Sequence, residues 1–310
     1  MIPGTSRIGV LSFACVAACV GLSGALLVAQ AATDSVTLDV VVTDDDGRPV
    51  EGLDQAQFRI TENRRAVAVT SFGENALAGT TGPHGGRSVT LILDDTGIPP
   101  QLTSTVQKIA RRFLEKSTQS DRVSVLRLTH RADELVWENS ISLSRIANYR
   151  GGMVPLFGRE TFENVLTRVK VISQQLDTAD PLRHVIVCIG SPEVFDINEP
   201  FSGKQSLIWS YWTDAIRAAS RANAAVYVID PAGASRNFKI RGSASLTAQT
   251  GGVSYVNSNA FESAVDRIWS EASHYYVLGY DAPRAATDLR EIDVRVTAPG
   301  VHTRARKNRG

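Results

Sequence analysis

Hydrophobic and polar positions divide the chain into three kinds of text. From Ser35 to Phe72 they alternate with period two: SVTLDVVVTD, then FRITEN and AVAVTSF, with turn chemistry around Gly47 and Pro49 in DDGRPVEGL. That pattern predicts a small antiparallel β module over residues 32–77. The glycine- and threonine-rich stretch AGTTGPHGGR, residues 78–87, reads as a linker. After Arg87 the pattern changes. SVTLILDD, DRVSVLRLTH, HVIVCIGS and AAVYVID are continuous apolar runs, the signature of strands buried on both faces. VSYVN reads as a short last strand, and ADELVWENSI as one more.

Between these runs, apolar residues recur at helical spacing. They do so from Leu102 to Leu114, from Phe162 to Leu176, through Trp209, Trp212 and Ile216, and from Phe261 to Trp269. Strands alternating with helices over residues 88–273 predict an α/β domain with a doubly wound, mostly parallel, Rossmann-like sheet. In residues 274–310, YYVLGY and EIDVRVTAP return to strand text. These strands are expected to rejoin the N-terminal β module, leaving RARKNRG as a solvated basic tail.

Residues 1–31 follow a different rule. Arg7 precedes an apolar run from Ile8 to Val28, and Ala29-Gln30-Ala31 fits a small-x-small cleavage site. The reading is an export signal, which places the protein outside the cytoplasm, secreted or in the periplasm and cell envelope. A membrane association would follow only if the segment is kept as an anchor or lipidated at Cys19. Cys188 alone lies outside this segment, and mid-strand it reads as a small buried hydrophobe.

Charge narrows the partners. Without Arg7 the 33 basic residues become 32, against 32 acidic ones. A neutral chain with no basic stripe argues against nucleic acid.

The chemistry centres on LILDDTGIPP, Leu91 to Pro100. Asp95-Thr96-Gly97 matches the acid-protease triplet, but such enzymes need two, and an α/β chain is the wrong scaffold. No G-x-S-x-G elbow occurs, and the five histidines lack metal-ligand spacing. Gly190-Ser191 ends a strand, but Pro192 removes the amide that follows a nucleophile. A hydrolase built on Ser191, Glu193 and Asp196 is the runner-up to a non-enzymatic role. Trp209, Tyr211 and Trp212 read as core packing rather than an exposed aromatic surface.

The export signal, VVVTDDDGRPVEGLDQAQFRITEN, LILDDT, AQTGGVSYVN, YYVLGY and the RVTAPGVHTRAR ending, taken in order, resemble the von Willebrand factor A (vWA) domain. More closely, they are similar to the VWFA-related domain of exported acidobacterial proteins. The resemblance implies protein–protein adhesion at the carboxyl ends of the strands. It also implies a metal-ion-dependent adhesion site for Mg²⁺ or Mn²⁺, its shell completed by a partner's carboxylate. In such a site Asp94 matches the first aspartate, and Thr96 supplies the first hydroxyl. Ile98 stands where the second serine belongs, the threonine position falls at Glu160 or Thr161, and Ser191 replaces the last aspartate. The expectation is therefore a degenerate site. Either Asp94 and Thr96 still hold a cation, helped by Glu160, or they and Asp95 cap the following turn. No cofactor is the expected state. A purely structural envelope component is the third functional class.

Overall fold

The structure is a computed structural model that describes residues 33–76, 86–152, 159–176, 183–191, 205–235, 245–283 and 289–309. The expected export segment and most of the expected linker lie outside these residues. Among them, no helix is long and apolar enough to cross a membrane.

The α/β part is built on five strands: β5 (Ser88–Leu93), β6 (Arg122–Arg127), β7 (His184–Ile189), β8 (Ala224–Ile229) and β9 (Ser254–Tyr255). They form one all-parallel sheet in the order β6-β5-β7-β8-β9. Side chains alternate across it. Val89, Leu91 and Leu93 of β5 face one layer of helices, α1 (Thr103–Glu115), α2 (Asn139–Ala147) and α6 (Phe261–Ser273). Ile92 and its neighbours Ile186 and Cys188 on β7 face the other layer, α3 (Arg159–Gln175), α4 (Gln205–Arg221) and the short α5 (Leu246–Thr250). Each face has its own apolar core, which is why the strands read as unbroken hydrophobic runs. The fold is mixed α/β and Rossmann-like.

The remaining strands make two antiparallel sheets. One runs β12 (His302–Arg304), β1 (Thr33–Thr43), β10 (His274–Pro283), β4 (Ser71–Ala76). The other runs β13 (Asn308–Arg309), β11 (Arg290–Val296), β2 (Phe58–Glu62), β3 (Arg65–Val67). Leu38, Val40, Tyr276 and Leu278 from the first share a core with Phe58, Ile60 and Ile292 from the second. Period-two text from both ends of the chain thus supplies two half-buried sheets, packed face to face. Helix α6 passes directly into β10, so the last helix of the parallel sheet and a central strand of the sandwich are one continuous stretch.

Three expectations fail here. ADELVWENSI is not a strand: residues 131–138 run irregularly and α2 begins at Asn139. Side chains take the bonds that a ladder would have used. Asp133 Oδ2 accepts from the Arg127 amide (3.0 Å), and Ser124 Oγ accepts from the Val136 amide (3.1 Å). Trp209 is 62% exposed, whereas Trp212, three residues on, is 4% exposed, so only one of the two indoles lies on the buried stripe of α4.

The third failure is the basic tail, which is folded in. Arg304 pairs with Glu271, whose other oxygen accepts from Tyr227 Oη (2.7 Å). Arg306 donates to Thr37 O (2.7 Å) and Ser220 O (3.2 Å). Arg309 reaches Glu62 (3.3 Å) and Pro283 O (2.6 Å). Charge density alone reads as solvent-facing. What reverses it is a row of acids and carbonyls, contributed by distant segments, that meets the arginines.

Asp39 belongs to this joint and gives it a pH dependence. It is 8% exposed, accepts from Asn223 Nδ2 (2.6 Å), and has Arg183 and Arg306 nearby. Burial pushes its carboxyl up to about 6, and Asn223 and the two arginines only partly oppose this. A raised carboxyl stabilises the fold fully below its unfolded value, and that contribution is lost as pH rises through about 6. Asp39→Asn should therefore gain stability relative to the wild type by about 3 kcal/mol between roughly pH 4 and pH 7. Urea midpoints of the two proteins across that range check it, and a pH-independent difference would disprove it.

Candidate functional site

The sheet's strand order places a switch point between β5 and β7, since the chain adds β6 on one side of β5 and β7 on the other. Open α/β sheets hold ligands in the crevice outside the carboxyl ends of strands at such a point. Asp94 follows β5 there and Ser191 follows β7, one residue beyond Gly190.

Asp94 is 1% exposed and both of its carboxylate oxygens accept hydrogen bonds. Oδ1 accepts from Thr96 N (2.9 Å), Thr96 Oγ1 (3.0 Å) and Gly97 N (2.8 Å). Oδ2 accepts from Ser191 N (3.2 Å), which ties the loop after β7 to the loop after β5. Glycines let the group sit this deep. A Cβ at Gly190 would stand 2.6 Å from Asp94 Cβ, and one at Gly97 2.7 Å from Asp94 Oδ2. Tyr149 closes the floor, donating its hydroxyl to Asp94 O (2.6 Å). Burial, then the Asp94 charge, holds the Tyr149 hydroxyl above its usual range, so it remains a donor. Nothing in NYRGG marked that tyrosine beforehand. The glycines behind it also pack on this loop, a Cβ at Gly151 falling 2.8 Å from Ile98 O.

The sequence-derived residues divide as follows. Asp94, Thr96 and Ser191 come together; Thr96 and Ser191 are 7% and 5% exposed. Glu160 and Thr161 lie in the first turn of α3, but their side chains are outside the described residues. So are Glu193 and Asp196. Asp95 does not cap its own turn. It bridges to the end of β6, accepting from Thr129 N (3.0 Å) and Thr129 Oγ1 (2.7 Å), with His130 Nδ1 at 3.0 Å. The reason is lateral: β5 and β6 are neighbours in register, so the loop after one lies beside the loop after the other.

Of the side chains expected around an Mg²⁺ or Mn²⁺ ion, the described residues bring Asp94, Thr96 and Ser191 to one place. Three of the donors that meet Asp94 share Oδ1 and one meets Oδ2, so the carboxylate is held by the protein from both oxygens. Magnesium needs near-octahedral oxygen coordination. At the second serine's position Ile98 is wholly buried in the hydrophobic core. Among the described residues, no three His, Cys, Asp or Glu side chains gather as a ligand group. Nor is a nucleophile present in Cys188, which is buried mid-strand; burial, then Asp94, pushes its thiol well above the usual range.

No protein-family model matches the sequence, and no curated protein is similar enough to count as a relative.

Proposed function

We propose that the protein is an exported, non-enzymatic vWA-like module that binds another protein through the carboxyl-end face of its parallel sheet, without a metal. The observation that carries this reading is the engaged carboxylate of Asp94. It stands at the switch point where the vWA resemblance puts the first metal ligand, and it is spent on binding two loops together. A face built this way is rigid and preorganised, which suits recognition. The hydrolase alternative rests on Ser191, which is buried beside Asp94; Glu193 and Asp196 lie outside the described residues.

The test is site-specific photo-crosslinking in the cells that make the protein. Probes at Gln101 and Ala132, exposed residues in the segments that follow β5 and β6, are compared with one at Arg65 on the sandwich. The expected result is discrete protein adducts from the first two that persist in chelator. Adducts that vanish with chelator would restore a metal-dependent site. Their absence at the face, or equal yield at Arg65, would leave a structural component.

A further inference from the structure

A pocket of ≈ 530 Å³ lies between α3 and the loop that leaves β6. One wall is a stripe of α3 at helical spacing: Asn164, Thr167, Arg168 and Val171. Thr129 and Arg131 supply polar groups to the other wall. Among the described residues that line it none is acidic and two, Arg131 and Arg168, are cationic.

Arg168 is the unusual member. It is 8% exposed, yet makes no ion pair among the described residues. Its Nη2 donates only to main-chain oxygens, Asp133 O (2.9 Å) and His130 O (3.4 Å). Its Nε is buried and has no acceptor at all. The nearby acids are committed elsewhere. Asp133 is held by Arg127 (2.9 Å) with Arg145 at 3.7 Å, and Asp95 is held by Thr129 and His130. Burial lowers the guanidinium below its usual range, the expected effect of keeping a cation away from water. A buried arginine is ordinarily matched to a carboxylate. Here the two carbonyls hold one end of the guanidinium, and the acids near it, Asp133 and Asp95, act on it through space without an ion pair among the described residues.

The remaining groups suit the same partner. Arg131 is exposed, and its guanidinium pairs with no acid among the described residues. Asn164 and Thr167 bring an amide and a hydroxyl to the same wall. Guanidinium groups bind planar or tetrahedral oxyanions through paired N–H donors, and such charge-assisted bonds are roughly twice as strong as neutral ones.

We propose that this pocket is an oxyanion site, taking the carboxylate or phosphate group of a ligand between Arg168 and Arg131. The site stands apart from the adhesion reading and survives its failure, because it rests on Arg168 and not on Asp94.

Inorganic phosphate and acetate are titrated separately into the purified protein and followed by calorimetry. Saturable binding of at least one is expected, weakened about tenfold by Arg131→Ala and further by Arg168→Gln. Phosphate binding that tightens through its second ionisation identifies a phosphate site, and acetate binding at least as tight identifies a carboxylate site. If Arg168→Gln does not fold, Arg131→Ala and Asn164→Leu carry the test from the pocket's rim. No saturable binding of either probe overturns the proposal. So does binding that Arg131→Ala and Asn164→Leu leave unchanged.

Discussion

Arg304→Ala destabilises the protein by about 3–5 kcal/mol, because it strands a buried carboxylate. Glu271 is 4% exposed and its two oxygens are divided between Arg304 and Tyr227. Without the arginine, the Glu271 charge remains in a place that water does not reach. Glu271→Ala should cost a similar amount by the converse route, leaving the guanidinium without its anion. Because both changes remove one interaction, the double variant falls short of the sum of the singles by about 1–3 kcal/mol. Chemical denaturation of the four proteins measures the cycle. If Arg304→Ala stays within about 0.5 kcal/mol of wild type, the C-terminal arginines are a solvated tail after all.

Asp94→Ala is expected to cost about 3–5 kcal/mol in the absence of any metal. Three amides, those of Thr96, Gly97 and Ser191, lose their acceptor in a buried crevice, and the two loops lose their common tie. Asp94→Asn should fall between the two proteins. Its amide keeps one oxygen for Thr96 and Gly97 but presents N–H to whichever donor remains. Urea midpoints with chelator and with Mg²⁺ distinguish this from a ligand role. A loss of stability that appears only when Mg²⁺ is present would make Asp94 a metal ligand and not a structural acceptor.

Sequence and structure diverge most at these two sites. The strands of the parallel sheet were legible because burial on both faces forces every position to be apolar, as in SVTLIL and HVIVCI. The antiparallel strands were legible because only alternate positions meet a core. Asp94, Thr96 and Ser191 could be placed at one end of the sheet because each follows the last residue of a strand closely. Tyr149 could not, since its partner is a main-chain oxygen 55 residues away. Asp95 reads as a local cap because a carboxylate followed by small polar residues describes a turn equally well whether it bonds forward or sideways. Trp209 reads as core because an indole on a helix carries the same weight in a periodicity count whichever side of the stripe it borders.

Local and periodic features are what the amino-acid order determined by itself: the α/β core, the two flanking blocks of strands, and the polar loop at the head of β5. These depend on spacing within one element, and spacing is written directly in the chain. The use of each polar group was decided only by tertiary structure. The carboxylate of Asp94 is a tie between loops because β5 and β7 are neighbours, with Gly190 and Gly97 leaving no room between them. The arginines from 304 to 309 are internal because Glu271, Asp39 and Glu62 arrive from three distant segments. A charged side chain in sequence has a charge but no environment, and its energy is set almost wholly by the environment.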